Sequence, residues 1–173
     1  MKALDAKTGD AIYHKQMGAA TNKSKVNRDV DDEIDRALYK IPGKRDRYGI
    51  PASGIKKMLV NTGKFVGLDR HKGFLNGAFH ILAGPGNLVE LNESKWEVDR
   101  MMGRNPNAMG KPAVVIFRPR FDKWSIDIKI MYNANIISTA EIANLFENAG
   151  FSVGLCEFRP EKGGSYGMFK LAA

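Results

Sequence analysis

The stretch AVVIFRPRFDKWSIDIKIMY, residues 113–132, predicts two β-strands joined by a turn. Residues 113–117 form an apolar run typical of a buried strand, and residues 125–132 alternate between apolar and polar side chains. Proline and aspartate within residues 118–122 favour a turn between them. We therefore expect an antiparallel hairpin whose second strand places alternate residues on one face: Ile126, Ile128, Ile130 and Tyr132.

A helix and a final pair of strands are predicted downstream of this hairpin. Ser138 and Glu141 have the spacing of a capping box, and the helix that they start is expected to end at Gly150. The segment FSVGLCEFRPEKGGSYGMFKL, residues 151–171, then has the pattern of two short strands around a glycine-rich loop.

The glycine-rich loop within residues 151–171 is a candidate phosphate-binding site. Arg159 and Lys162 stand beside Gly163 and Gly164 in the sequence. Glycine allows close approach of another backbone, and cationic side chains next to it can hold a phosphate. The alternative, which the loop alone leaves equally open, is a basic hairpin turn without a ligand.

The N-terminal half predicts two more helices, at residues 30–39 and 53–65, and two short strands, at residues 78–82 and 88–91. The order of helices and strands indicates an α+β fold. We expect a ferredoxin-like, RRM-like antiparallel sheet with two helices on one face, together with inserted loops. Such a plan leaves sheet or loops free for nucleotides in many RNA-binding modules.

The chain has a net charge of +8, and the positive charge is concentrated in its first half. Residues 40–72 contain nine Lys and Arg residues against two Asp and Glu residues, which indicates a polyanionic partner. Residues 1–30 are expected to form a partly flexible N-terminal arm, and residues 31–173 a single domain.

No apolar run approaches the roughly 20 residues of a membrane-spanning helix, which favours nucleic acid over membrane as the partner. The opening residues lack a signal-peptide pattern, and Cys156 is the only cysteine. Both features predict a reducing, cytoplasmic setting.

Catalytic and metal-binding motifs are largely missing from the sequence. The three histidines lack ligand spacing, and neither a G-x-S-x-G motif nor the phosphate-binding loop of NTPases is present. We therefore expect no metal, no cofactor and no enzymatic activity. A metal-independent ribonuclease that uses His14 as a general base is the catalytic alternative.

Three segments resemble small proteins of tailed bacteriophages: YGIPASGIKKMLVNTGKF (48–65), VIFRPRFDKWSIDIKIMYN (115–133) and ENAGFSVGLCEFRPEKGGSYGMFKL (147–171). These proteins look like single-domain members of the repeat-associated (RAMP) RNA-binding superfamily. They are similar to the backbone subunits of CRISPR effector complexes, including type IV systems. The resemblance implies a phage protein in the host cytoplasm that holds single-stranded RNA, or single-stranded DNA, by its phosphates and forms oligomers or filaments along it.

The residues expected to contact RNA are mostly basic, with aromatic residues beside them. Trp124 and Tyr166 have the residue type for base stacking. Packing is nevertheless the favoured role for Tyr166, and at least one of Phe121 and Trp124 is expected to be a core residue. The complete set is Lys56, Lys57, Lys64, Arg70, Lys72, Arg118, Arg120, Trp124, Arg159, Lys162, Gly163, Gly164 and Tyr166.

The alternative function from a different class is a protein-interaction factor. Such a protein would mimic a CRISPR backbone subunit and inhibit, or assemble with, a host defence complex. It would capture its partner without nucleic acid. The positive charge argues against mimicry of nucleic acid itself, because such a mimic would be acidic.

Overall fold

The computed structural model describes residues 10, 29–68, 73–104, 109 and 112–172. These residues form helices and antiparallel strands, which confirms the predicted α+β class. They fall into two compact units: a larger unit within residues 39–92 and 125–172, and a smaller unit that includes residues 29–38 and 93–124. The arm predicted over residues 1–30 lies almost entirely outside the described residues, so its boundary stays a prediction.

Four α-helices and six strands lie within the described residues. The helices are α1 (Val30–Ala37), α2 (Ala52–Thr62), α3 (Phe74–Ala78) and α4 (Thr139–Ser152). The strands are β1 (Gly49–Pro51), β2 (Phe79–Leu82), β3 (Leu88–Glu90), β4 (Glu97–Arg104), β5 (Ala113–Arg120) and β6 (Lys129–Tyr132). Two short 3-10 helices cover Pro85–Asn87 and Pro160–Lys162.

The capping box predicted for α4 is confirmed. The Ser138 hydroxyl accepts a hydrogen bond from the Glu141 backbone N–H at 3.2 Å, and the Glu141 carboxylate accepts one from the Ser138 N–H at 2.8 Å. The predicted end of this helix is wrong, because α4 continues two residues beyond Gly150 to Ser152. A Cβ at Gly150 would overlap the carbonyl oxygen of Phe169, so this glycine allows close packing rather than ending the helix.

The hairpin predicted for residues 113–132 is wrong, although strands form at both of its ends. β5 pairs with β4 along its full length, whereas β6 pairs with β2. Apolar alternation identifies a strand but does not select its partner. β4 was not predicted, because its sequence EVDRMMGR lacks that alternation.

The turn predicted at residues 118–122 is also wrong for its first part, because β5 continues through Arg120. The register places Arg118 opposite Asp99. It also places Arg120 opposite Glu97. Cross-strand pairs of opposite charge stabilise an antiparallel ladder by roughly 0.2–1 kcal/mol each, so the strand extends where local composition favours a turn.

The core of the larger unit lies where α2 packs against α4 and β2. Ile55 and Leu59 of α2, Phe79 of β2 and Leu145 of α4 are fully buried. Each such side chain contributes roughly 1.5–3 kcal/mol through burial. These residues fix which face of α2 is covered and which face is left to solvent.

The strands of the larger unit form two antiparallel pairs, β1 with β3 and β2 with β6. An isolated bridge between Leu91 and Ile126 connects the residue after β3 to the segment that precedes β6. The backbone N–H of Asn92 also donates to the carbonyl oxygen of Ser125 at 2.9 Å. These two contacts link one strand pair of the larger unit to the other.

The two final strands predicted within residues 151–171 are wrong. Phe151 and Ser152 complete α4, and none of the described residues after them forms a strand. The chain instead turns at Gly154, which has φ +70°, and enters the 3-10 helix Pro160–Lys162. A glycine with positive φ just beyond α4 stops the helix and turns the chain away from an extended path.

Candidate nucleic-acid interface

One face of α2 carries cationic side chains in solvent. The opposite face is anchored in the core by residues that include Ile55 and Leu59. Lys57 and Asn61 are four residues apart and therefore share one face of the helix. Lys64 extends the same face, because Gly63 keeps helical backbone angles after the last residue of α2. Both lysines are exposed and form no ion pair with a described residue.

A hydrogen bond attaches the C-terminal loop to this face of α2. Asn61 donates from Nδ2 to Oε1 of Glu161 at 2.8 Å. Glu161 belongs to the 3-10 helix Pro160–Lys162, so the exposed Lys162 lies next to the contact. Lys57 and Lys64 thus lie on the helix face that contacts the loop, and Lys162 follows the contacting residue Glu161 in the chain. We refer to these three residues as the lysine surface.

Arg159 holds the loop in shape instead of projecting from it. Its guanidinium donates to Oε2 of Glu161 at 2.6 and 3.0 Å, and to the carbonyl oxygen of Cys156 at 2.9 Å. The hydrogen bond from Arg159 lowers the pKa of Glu161 from its ordinary value. Because the Arg159 and Glu161 charges offset one another, the net positive charge of this region resides on the lysine surface.

The glycines of the loop pack against the backbone of their own chain. Gly163 has φ +77° where the 3-10 helix ends, a left-handed conformation that favours glycine. A Cβ at Gly164 would overlap the backbone carbonyl of Phe158. Close approach thus occurs within the loop itself, and it gives a physical reason for these glycines that is independent of any ligand.

Arg118 and Arg120 belong to the smaller unit and face acidic partners there. Arg118 donates to Oε1 of Glu33 at 3.3 Å. Arg120 donates to Asp122 at 2.7 Å and to Asp99 at 3.4 Å. A guanidinium that is shared among carboxylates has less positive charge to offer a phosphate. The role of both arginines in RNA binding stays a prediction.

Lys56 lies one residue from Lys57 but points in a different direction. Its ammonium donates to the carbonyl oxygen of Asn76 at 2.6 Å and lies 3.4 Å from Nδ1 of His80. It also lies 5.8 Å from the centre of the Phe79 ring, within the range of a cation–π contact. Lys56 is therefore held beside β2, outside the lysine surface.

The remaining predicted residues lie in three different settings. Tyr166 is 43% exposed in the C-terminal loop of the larger unit. Trp124 is half-buried in the smaller unit. Arg70 and Lys72 lie outside the described residues.

Sequence reasoning missed Asn61, Glu161 and His80, three residues with an organising role in these contacts. Asn61 was detectable in part, because its spacing from Lys57 places it on the same helix face. Glu161 and His80 had no recognisable signal, since each acquires its role from a partner that is distant in sequence.

In the described part of the chain, no group of three or more His, Cys, Asp or Glu side chains could hold a metal ion. Among the described helices, none combines the length and apolar character that a membrane span requires.

No protein-family model, curated protein or solved structure matches this chain.

Proposed function

We propose that this protein binds single-stranded RNA through its phosphate backbone, without catalysing a reaction, and that the lysine surface is the main contact. The observation that carries the proposal is the Asn61–Glu161 hydrogen bond, which joins the helix face of Lys57 and Lys64 to the loop that carries Lys162. Lysine ammonium groups are strongly hydrated point charges on flexible stems, and they attract phosphates without reading base sequence. Single-stranded DNA carries the same phosphates and is the alternative ligand of this surface.

Exposed aromatic side chains close to these lysines in sequence support a single-stranded ligand. Phe65 follows Lys64 directly and is 64% exposed, and Tyr166 lies four residues after Lys162. Unpaired bases stack on aromatic rings, whereas the bases of a duplex are already stacked. A cationic surface with neighbouring aromatic rings therefore favours single strands over duplexes.

The ferredoxin-like arrangement and the RAMP relationship are parts of the same proposal. The Leu91–Ile126 bridge supports a four-stranded antiparallel sheet in the larger unit, built from the two strand pairs. α2 and α4 pack on one another and are the candidate pair of covering helices. A backbone-binding module of this kind occupies successive sites on one strand, so we further propose oligomers that form along RNA.

The direct test compares the parent protein with a triple variant of the lysine surface, Lys57→Gln, Lys64→Gln and Lys162→Gln. A matched control removes the same charge from three other exposed lysines, Lys95, Lys123 and Lys129. Affinity for several unrelated RNA 20-mers is measured by fluorescence anisotropy over a range of salt concentrations. Removal of three phosphate contacts should reduce the slope of log K against log salt by about 2, equally for all sequences.

The possible results distinguish a wrong site assignment from a wrong function. If the lysine-surface variant binds like the parent, the site assignment is wrong. If the parent binds neither RNA nor single-stranded DNA at low salt, the proposed function is wrong, and a protein partner becomes the better hypothesis. Light scattering of protein purified without nuclease tests assembly: a large species that shrinks on ribonuclease treatment supports RNA-templated oligomers.

A further inference from the structure

A second feature of the larger unit, separate from the lysine surface, is a groove of about 460 Å³. Its walls come from the α3–β2 junction and from the end of β6. The lining residues are Gly77, Ala78, His80, Met131, Tyr132, Asn133 and Ala134. The volume falls within the range of roughly 300–1,000 Å³ that is typical of small-molecule sites.

The β2–β6 register creates this groove. Phe79 pairs with Tyr132 and His80 pairs with Met131, so both strands reach the same end of the sheet. Immediately beyond this end, the N–H of Asn133 donates to the carbonyl oxygen of Ala78 at 3.0 Å. The groove is therefore built on paired backbone and has a defined shape.

The groove combines apolar surface with hydrogen-bond donors. Tyr132 is 37% exposed and offers a base an aromatic ring, whereas Met131, which is 56% exposed, precedes it on the opposite face of β6. Oδ1 of Asn133 accepts from the N–H of Asn135 at 3.0 Å, so the Asn133 amide nitrogen is left as a donor. These groups match the faces and the polar edges of a nucleobase.

A positive charge lies at the border of the groove. The Lys56 ammonium lies 3.4 Å from Nδ1 of His80, a residue that lines the groove. Two donors of Lys56 are engaged, by Asn76 and by His80, and the third can serve a phosphate oxygen. The charge of Lys56 and the imidazole ring of His80 thus lie beside the ring of Tyr132 at this groove.

We propose that this groove holds one nucleotide of the bound strand, with its base against Tyr132 and its phosphate near Lys56 and His80. The inference rests on the proposed RNA-binding function and adds a defined base site to the phosphate contacts of the lysine surface. A single stacked base is typically worth about tenfold or more in affinity. The groove therefore makes a measurable contribution of its own.

Gly77 offers a way to fill the groove without removing any contact. It lies within α3, and a Cβ at this position would meet no atom within 4 Å. Gly77→Leu should occupy the groove, whereas Gly77→Ala is the matched control with similar helix propensity and little added volume. Tyr132→Ala removes the stacking ring, and Tyr39→Ala, at another exposed tyrosine of the larger unit, is its control.

The experiment photo-crosslinks 4-thiouridine-containing RNA 20-mers to each protein, maps the crosslinked peptides by mass spectrometry and measures affinity in parallel. We expect crosslinks within residues 131–134 of the parent and of Gly77→Ala. Gly77→Leu and Tyr132→Ala should lose most of this crosslink and bind about tenfold more weakly. Equal melting temperatures of the two Gly77 variants will show that the fold is intact.

Either of two other results would overturn the inference, and they distinguish failure of the groove alone from failure of the proposed function. If RNA binds but Gly77→Leu and Tyr132→Ala retain parental affinity and crosslinks, the groove is not a nucleotide site, while the proposed function stands. If the parent binds neither RNA nor single-stranded DNA, both the groove and the proposed function are wrong.

Discussion

Asn61 of α2 donates a hydrogen bond to Glu161, a residue 100 positions later in the chain, at 2.8 Å. This contact connects the cationic face of α2 to the C-terminal loop that carries Lys162. Glu161 accepts at the same time from Arg159, so one carboxylate organises both sides of the contact. The lysine surface therefore depends on tertiary structure. Substitution of the neutral residue Asn61 tests this dependence without removing a charge.

We expect Asn61→Ala to lower the free energy of unfolding by about 0.5–1.5 kcal/mol, because a hydrogen bond to a carboxylate is lost at a half-exposed site. RNA affinity should also fall while the salt dependence of binding stays the same, since no charge is removed. Urea unfolding and anisotropy titrations measure the two effects. Asn148→Ala, which removes a contact local to α4, is the control and should leave RNA binding unchanged.

The stability of the larger unit should depend on pH through Glu90. This carboxylate accepts from Lys44 and from Arg47, each at 2.6 Å, and these contacts lower the pKa of Glu90. A lowered pKa in the folded state means that the stabilisation is complete above the unfolded value of about 4.3 and is lost as the pH falls through the folded value.

Glu90→Gln should accordingly lower the melting temperature at pH 7, and the difference from the parent should shrink below about pH 4. Thermal melts followed by circular dichroism between pH 3 and pH 7 provide the measurement. Glu147→Gln, at an exposed glutamate on α4 that forms no ion pair with a described residue, serves as the control. A constant difference across this range would contradict the role of the Glu90 charge.

The elements that could be predicted from the sequence are those with a local cause. α4 has its capping box, and α1 has Ile34 buried within an apolar stripe at helical spacing. The partner of β5 could not be predicted, because apolar alternation is the same whether the neighbouring strand precedes or follows it. Glycines in the C-terminal loop were misleading for a similar reason: close approach to the chain itself and close approach to a phosphate require the same residue.

The basic residues of the candidate site could be listed from the sequence, but the directions and partners of their side chains could not be predicted. Lys56 and Lys57 look equivalent in sequence, yet the helical rotation of about 100° between them sends one toward His80 and the other into solvent. Arg118 looks available until its contact with Glu33, 85 residues earlier, is known. Which charges remain accessible is decided by contacts between distant segments.

Gly164 and Gly163 should differ in their tolerance of substitution. A side chain at Gly164 meets the backbone carbonyl of Phe158, which cannot move independently of the loop, whereas Gly163 has positive φ and open space around it. We expect Gly164→Ala to destabilise the protein by roughly 1–3 kcal/mol. Gly163→Asn should cost less, because asparagine tolerates the left-handed region.

Urea unfolding of both glycine variants, combined with RNA titrations, tests this difference. Loss of RNA affinity in Gly164→Ala with retention in Gly163→Asn would link the shape of the loop to the lysine surface. Equal destabilisation by the two substitutions would show that the close approach to Phe158 is not important for folding.

The ion pairs of Arg118 and Arg120 lead us to expect that these residues stabilise the smaller unit more than they bind RNA. The double variant Arg118→Gln with Arg120→Gln should lower the free energy of unfolding by roughly 0.2–1 kcal/mol per partly exposed pair, with little change in the salt slope of RNA binding. Urea unfolding and salt-dependent anisotropy measure both quantities. A double variant at Arg36 and Arg45, whose side chains are 79% and 96% exposed, controls for the loss of two positive charges. If the Arg118 and Arg120 variant instead reduces the salt slope by about 1.4, as two lost phosphate contacts require, both arginines bind the strand and the RNA interface includes the smaller unit.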